Sequence, residues 1–205
     1  MSMARDQALV RQTSFKVEMK HAESFLRSWF RDLKEHELIE IRLLAPAEQK
    51  FFASVDDCID WLQQVDFSTN VYYGVHPRLR ERGQAEDVSS IIGLFADIDG
   101  YKAAPTGNYQ TQKHESGLRA INLIGDSRRL TMIDSGNGIH ILKPFDTPQS
   151  VTQSVRDLYE RAQRGFVARL GGDPRAVDIA RVLRLPGSMN VKSVPWKLCQ
   201  LMELS

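Results

Sequence analysis

The sequence has almost no cysteine. Cys58 and Cys199 are its only two, which excludes a disulfide framework and a cysteine-built zinc site, since a structural zinc takes about four ligands. Any metal must therefore rest on carboxylates or histidines. Long apolar runs are missing as well. The longest, Ile91 to Ala96, is far short of the roughly 18 residues of a membrane-spanning helix. The opening stretch MSMARDQALVRQTSFK has no apolar segment of the kind a secretory signal needs. The chain therefore reads as cytoplasmic, with no membrane partner. Net charge is also small: 27 Lys and Arg against 26 Asp and Glu leave +1, too little for a global pull on nucleic acid or lipid. No repeat, low-complexity tract or Pro/Ser-rich linker divides the sequence. What is there, 205 residues with 42% hydrophobic and 26% charged, describes one soluble unit, 1–205, of at most two lobes (about 1–90 and 91–205) sharing a core.

Periodicity then sorts the chain into alternating strands and helices. Leu38 to Leu44 alternates charged and apolar residues as a half-buried strand does. Ser54 is placed to cap a helix through Gln64, with Val55, Cys58, Ile59 and Leu62 at helical spacing. Asn70 to His76 is aromatic and β-branched, and Ile91 to Ile98 is a more buried run; both are expected to be strands. Thr131 to Phe145 reads as a hairpin turning through Gly136, Asn137 and Gly138. A helix is expected from a Thr147 cap with Pro148 in its first turn, ending at Gly171 and Gly172. Val177 to Leu185 is expected to be strand-rich up to Pro186-Gly187, and Trp196 to Leu204 a further strand. An end so soon after such a segment suits one piece of a longer protein.

Three stretches carry candidate chemistry. Asp97 and Asp99 close the most hydrophobic strand. Side chains two apart on a strand share a face, so two carboxylates emerge together and repel unless a cation neutralises them. Hard ions such as Mg²⁺ or Mn²⁺ favour such oxygen ligands. The alternative is a strand running out into a polar turn. In the second stretch, Ser135 to His140, the glycines expose backbone N–H groups that can cradle an anionic oxygen. Ser135 and Asn137 add side-chain hydrogen bonds, and His140 projects beside them; an ordinary Asn-Gly hairpin is the plainer reading. In the third, Asp178 lies in an apolar stretch and must find a cation, with Arg181 the simple candidate. Beyond it Arg184, Asn190 and Lys192 suit a metal-bound polyphosphate. Upstream, Arg78, Arg80 and Arg82 form a basic cluster that is either a solvated face or a grip on phosphates.

Taken in order, these stretches resemble the archaeo-eukaryotic primase superfamily. The resemblance rests on an acidic pair after a hydrophobic strand, a Ser-Gly-x-Gly-x-His hairpin, and a hydrophobic-Asp segment running into Arg-x-Leu-Pro-Gly-Ser-x-Asn-x-Lys. NVYYGVHPR is similar to the strand that precedes the acidic pair in the primase-polymerases of plasmids, phages and CRISPR loci. The similarity spans about Asn70 to Lys192. It implies an α+β fold: a mixed β-sheet core with flanking helices, related to the RNA-recognition fold, with an N-terminal α/β lobe. It also implies template-directed nucleotidyl transfer with two Mg²⁺ or Mn²⁺ ions, acting on nucleoside or deoxynucleoside triphosphates with a DNA template and primer.

By this resemblance Asp97, Asp99 and Asp178 would hold the ions, with Asp134 and Asp173 as alternatives to Asp178. His140 would contact the incoming phosphates, with Ser135, Asn137 and Gly138 around it. Arg184, Asn190 and Lys192 would steady the triphosphate, and Arg78 would touch nucleic acid. Gly138 departs from relatives that carry a serine two positions before the histidine. Tyr72 or Tyr73 would either discriminate sugars or belong to the core. Two other functions remain open from the residues: a glycosyltransferase using Asp-x-Asp, and a non-catalytic nucleic-acid-binding replication module.

Overall fold

The computed structural model describes residues 19–65, 69–99, 109–125, 130–192 and 194–202. Helix α1 (residues 19–29) opens this part. Its buried Met19, Ala22, Phe25, Leu26 and Trp29 recur at helical spacing, so one face is apolar. Strands β1 (Ile39–Leu44) and β2 (Ala47–Phe52) form a hairpin. Then comes α2 (Val55–Leu62), whose Ser54 cap accepts the Asp57 N–H at 3.0 Å, as its sequence predicts. β3 (Val71–Gly74) lies between β1 and a late strand, β7 (Val182–Arg184), giving a first sheet in the order β2-β1-β3-β7.

The second sheet contains the long strand β4 (Ser90–Asp99). Helix α3 (Tyr109–Ile124), β5 (Thr131–Asp134), β6 (Gly138–Ser150) and α4 (Gln153–Leu170) follow. β8 (Met189–Asn190) pairs with β9 (Lys197–Leu198), and β10 (Gln200–Leu201) joins β5, so the second sheet runs β10-β5-β6-β4. Every described strand pair is antiparallel. The α+β class expected from the sequence is what is observed.

Alternation along β4 and β6 gives this sheet two different faces. Ala96, Ile98, Ile139 and Ile141 turn toward Ala120 of α3 and Phe166, Val167 and Leu170 of α4. Phe95 and Leu142 turn the other way, into the large core that also holds Phe25, Ile41, Tyr73 and Leu183. The two sheets therefore share one core. β7, from late in the chain, completes the first sheet.

Three expected elements differ. Thr147 and Pro148 lie within β6, because the start of β4 pairs with the residues just beyond them (Ser90 opposite Ser150, Ile91 opposite Gln149). The α4 cap is Thr152, whose Oγ1 accepts the Val155 N–H at 3.3 Å, and the helix ends at Gly171 with φ +72°, a left-handed conformation that suits glycine. Of Val177 to Leu185, only Val182–Arg184 is strand. Trp196 to Leu204, of which 203 and 204 lie outside the described residues, holds not one strand but the short β9 and β10, because β9 pairs with β8 and β10 with β5. Among the described residues no helix is long and apolar enough to cross a membrane.

Candidate functional site

The site begins with register. Asp97 lies opposite His140 and Asp99 opposite Gly138. Asp97 and His140 therefore continue the face of Phe95 and Leu142, at the end of the sheet where the apolar residues stop. His140 Nε2 stands 3.7 Å from Asp97 Oδ1. The imidazole is buried and its Nδ1 has no hydrogen-bond partner among the described residues. Burial pushes its pKa below the ordinary histidine value, with Asp97 pulling upward and Arg184 downward. Gly138 is required by close approach. A Cβ there would overlap the Ile98 carbonyl oxygen and lie 3.3 Å from the Asp99 Cα. A serine, as in the family pattern, would not fit this backbone.

The turn between β5 and β6 is tied down internally. The Gly136 N–H donates to Asp134 Oδ1 at 2.8 Å, and the Ser135 N–H to the Gly138 carbonyl at 2.9 Å. Asn190 Nδ2 donates to the Ser135 carbonyl at 2.8 Å, and its Oδ1 accepts the Lys192 N–H at 3.2 Å. Asn190 thus positions this turn rather than facing open solvent. Arg184 arrives from β7 in the other sheet. Its guanidinium is held by Asn70 Oδ1, by the Met189 carbonyl at 3.2 Å and by the Tyr72 hydroxyl at 3.1 Å, and sits 4.9 Å from the Tyr72 ring centroid. Tyr72 is half-buried beside it, whereas Tyr73 is core.

The structure thus gathers Asp97, Asp99, His140, Ser135, Asn137, Gly138, Arg184 and Asn190 at one end of the second sheet. Lys192 is exposed just beyond. Two residues fall elsewhere. Arg78 is fully buried and ion-paired to Glu40 at 2.7 Å, with its NH2 donating to the Ala180 carbonyl at 3.0 Å. It cannot reach nucleic acid, because a guanidinium taken out of water must keep its buried carboxylate. Asp178 is exposed, pairs with Arg181 at 3.1 Å and acts electrostatically on Arg78 and Tyr159. The acid tied to the β4 end is Asp173, whose N–H donates to the Asp97 carbonyl at 2.8 Å. Its carboxylate holds Arg175 at 2.9 Å, and Arg175 also feels Asp99.

Among the described residues no group of three His, Cys, Asp or Glu side chains is close enough to hold an ion unaided. Asp97 and Asp99 nevertheless supply two hard oxygen donors. Mg²⁺ is commonly held by one or two carboxylates, with substrate phosphates and water completing its shell. The donor set fits such an ion.

The fold is similar to that of solved primase and primase-polymerase domains. Among solved structures, the chain is similar to the primase-polymerase domain of cyanophage S-2L, with a TM-score of 0.59 and 16% identity, covering 91% of this chain and 90% of that one. It is also similar to primase RepB′ (TM-score 0.52, 12% identity, 91% of this chain and 56% of that one). The RepB′ catalytic domain in complex with initiator DNA gives a TM-score of 0.52 at 13% identity, over 89% and 85% of the two chains. A "Replication protein" of Clostridium perfringens is 28% identical over 138 residues, 64% of this chain. The match spans about a third, 32%, of that protein. No protein-family model matches the chain.

Proposed function

We propose that this chain is the catalytic core of a primase-polymerase, transferring nucleotides from triphosphates to the 3′-hydroxyl of a primer on a DNA template. The observation that carries the reading is the meeting of Asp97, Asp99 and buried His140 at one sheet end, with Arg184 presented from the other sheet. Asp97 and Asp99 would hold two Mg²⁺ or Mn²⁺ ions. When bound, such ions neutralise a triphosphate and lower the pKa of a coordinated hydroxyl. We assign the third carboxylate to Asp173 in place of Asp178, because the Asp173 backbone is hydrogen-bonded to Asp97 at the strand end; an arginine pairs with each of the two acids, Arg175 with Asp173 and Arg181 with Asp178, and Arg175 would have to yield to the ion.

The remaining residues bind and orient. His140 offers a ring nitrogen for a hydrogen bond to a phosphate oxygen. Arg184, fixed by three partners, is a preorganised cation that loses little freedom on meeting phosphate. Asn190 holds the Ser135 to Gly138 turn in place for the nucleotide, and Lys192 is exposed to meet its outer phosphates. The RepB′ complex with initiator DNA supports the assignment of a DNA partner.

The test offers the chain labelled dNTPs or NTPs with a primed template, and separately a labelled nucleotide sugar with acceptors, with and without Mn²⁺. Metal-dependent lengthening of the primer is expected. Sugar transfer, or nucleic-acid binding with no chemistry under any metal, would overturn the reading.

A further inference from the structure

Of the three tryptophans, two are accounted for by packing. Trp29 is buried and donates its indole N–H to the Val75 carbonyl at 2.8 Å. Trp61 packs on Phe52 with ring centroids 5.4 Å apart. Trp196 is 50% exposed and has neither a ring partner nor an indole hydrogen bond among the described residues. Val194 beside it is 90% exposed, and Lys192 and Lys197 flank the pair on the surface. Leaving half of an indole in water forgoes much of the apolar burial that such a side chain can contribute.

The position of the hairpin supplies the reason. β8 and β9 pair Asn190 with Lys197, and both reach the turn beside the candidate site: Asn190 Nδ2 on the Ser135 carbonyl, and Lys197 Nζ on Asn137 Oδ1 at 3.0 Å. Packing there is close. A Cβ at Gly136 would lie 2.9 Å from the Lys197 Cβ and 3.0 Å from the Asn190 Cβ. The tip carrying Trp196 is therefore held against the site rather than hanging free of it.

We infer that Trp196, with Lys192 and Lys197, forms a platform for single-stranded nucleic acid leading into the site, its indole stacking on a base while the lysines meet the backbone. The inference rests on the primase-polymerase reading for what the strand is used for. Its physics is separate: aromatic faces stack any base, and flanking cations follow the phosphates. A bare surface aromatic between two lysines, docked on the turn beside Asp97 and His140, matches that chemistry. The lysines alone would attract any polyanion; the exposed indole is what favours a nucleic-acid strand, whose every base offers a flat face to stack on it.

The test is fluorescence anisotropy of a labelled single-stranded oligonucleotide, DNA and RNA in parallel, titrated with the full chain without nucleotide or divalent ion. Trp196→Ala is expected to weaken binding roughly 5- to 100-fold, and Trp196→Phe to restore most of it. The slope of log affinity against log salt should stay at the parent's value, because stacking releases no counterions. In primer extension Trp196→Ala should raise the KM for primed template and leave kcat close to the parent's. Unchanged affinity in Trp196→Ala, or an equal loss in Trp196→Phe, overturns the platform. Absence of extension by the parent chain sinks the primase-polymerase reading instead, while the anisotropy still decides the stacking.

Discussion

Glu40 in the first sheet and Asp97 in the second are both acids on strands next to the shared core, yet they are built on opposite terms. Glu40 is fully buried and surrounded by internal partners: Arg78 at 2.7 Å, Arg42 and the Gln49 amide. Burial alone would raise its pKa, but the charges of Arg78 and Arg42 hold it below the ordinary carboxylate value. Gly74 makes room for the cluster, since a Cβ there would meet Glu40 Oε2 at 2.9 Å and Arg78 NH2 at 3.0 Å. Asp97 is a third exposed, and its described side-chain neighbour is the buried His140 imidazole at 3.7 Å. A charge satisfied from within holds a fold together. One left at a strand end, facing a partly satisfied histidine and a preset arginine, is arranged for something brought from outside.

The comparison can be broken most sharply at the third acid. Asp173→Ala should lower nucleotide incorporation by about 10²- to 10³-fold, the scale of losing one charge-stabilising group, while Asp178→Ala stays within a few-fold of the parent. Single-turnover extension measures both. The reverse ranking would restore Asp178 to the site.

In the first sheet, Glu40→Ala leaves Arg78 buried without its carboxylate, and should cost about 3–5 kcal/mol of stability in urea unfolding. A loss under about 1 kcal/mol would show that the Glu40 cluster does not hold the fold.

A pH dependence separates a third group. His76 is buried against the Tyr159 hydroxyl at 3.0 Å, and burial lowers its pKa from 6.5 to about 3. The unfolded chain therefore binds this proton and the folded chain does not. The resulting stability is fully present above 6.5 and is lost as pH falls toward about 3. The slope is up to about 1.4 kcal/mol per pH unit. Urea midpoints at about pH 7 and pH 5 should show a shallower acid slope in His76→Phe; an unchanged slope would place the proton elsewhere.

The smallest effect concerns a helix start. Thr152→Ala should cost about 1 kcal/mol, as loss of a cap does, while Thr147→Ala, on a strand, costs only a few tenths. Equal losses in thermal unfolding would contradict the cap assignment.

That pair of threonines also shows what the sequence could convey. Thr147-Pro148 is a sound local signal for a helix start. It is overridden because β4 is ten residues long and its first half takes 149 and 150 as partners, a demand visible only once the strands are aligned. Asp97 and Asp99 were legible because strand alternation is a local rule, and Ile98 between them is buried as it requires. Arg78 was not, because its partner Glu40 lies 38 residues away. The stretch around Asp178 is hard to read for a related reason: its apolar neighbours suggest a strand, but the chain between α4 and β7 is a turn-rich crossing anchored at Asp173. Helix α1, strand β2 and helix α3 were not foreseen. β2 is largely polar on an outer edge, and apolar periodicity, the signal sequence reading relies on, is weakest there.

The measurement that bears most directly on the account is Mn²⁺- or Mg²⁺-dependent primer extension by the parent chain and by the Asp97→Ala/Asp99→Ala double variant, with thermal unfolding run on both. The account predicts incorporation that falls by about 10³-fold or more in the variant, at a melting temperature equal to or above the parent's, since two neighbouring carboxylates repel when no ion lies between them. Extension that survives the loss of both carboxylates would contradict it.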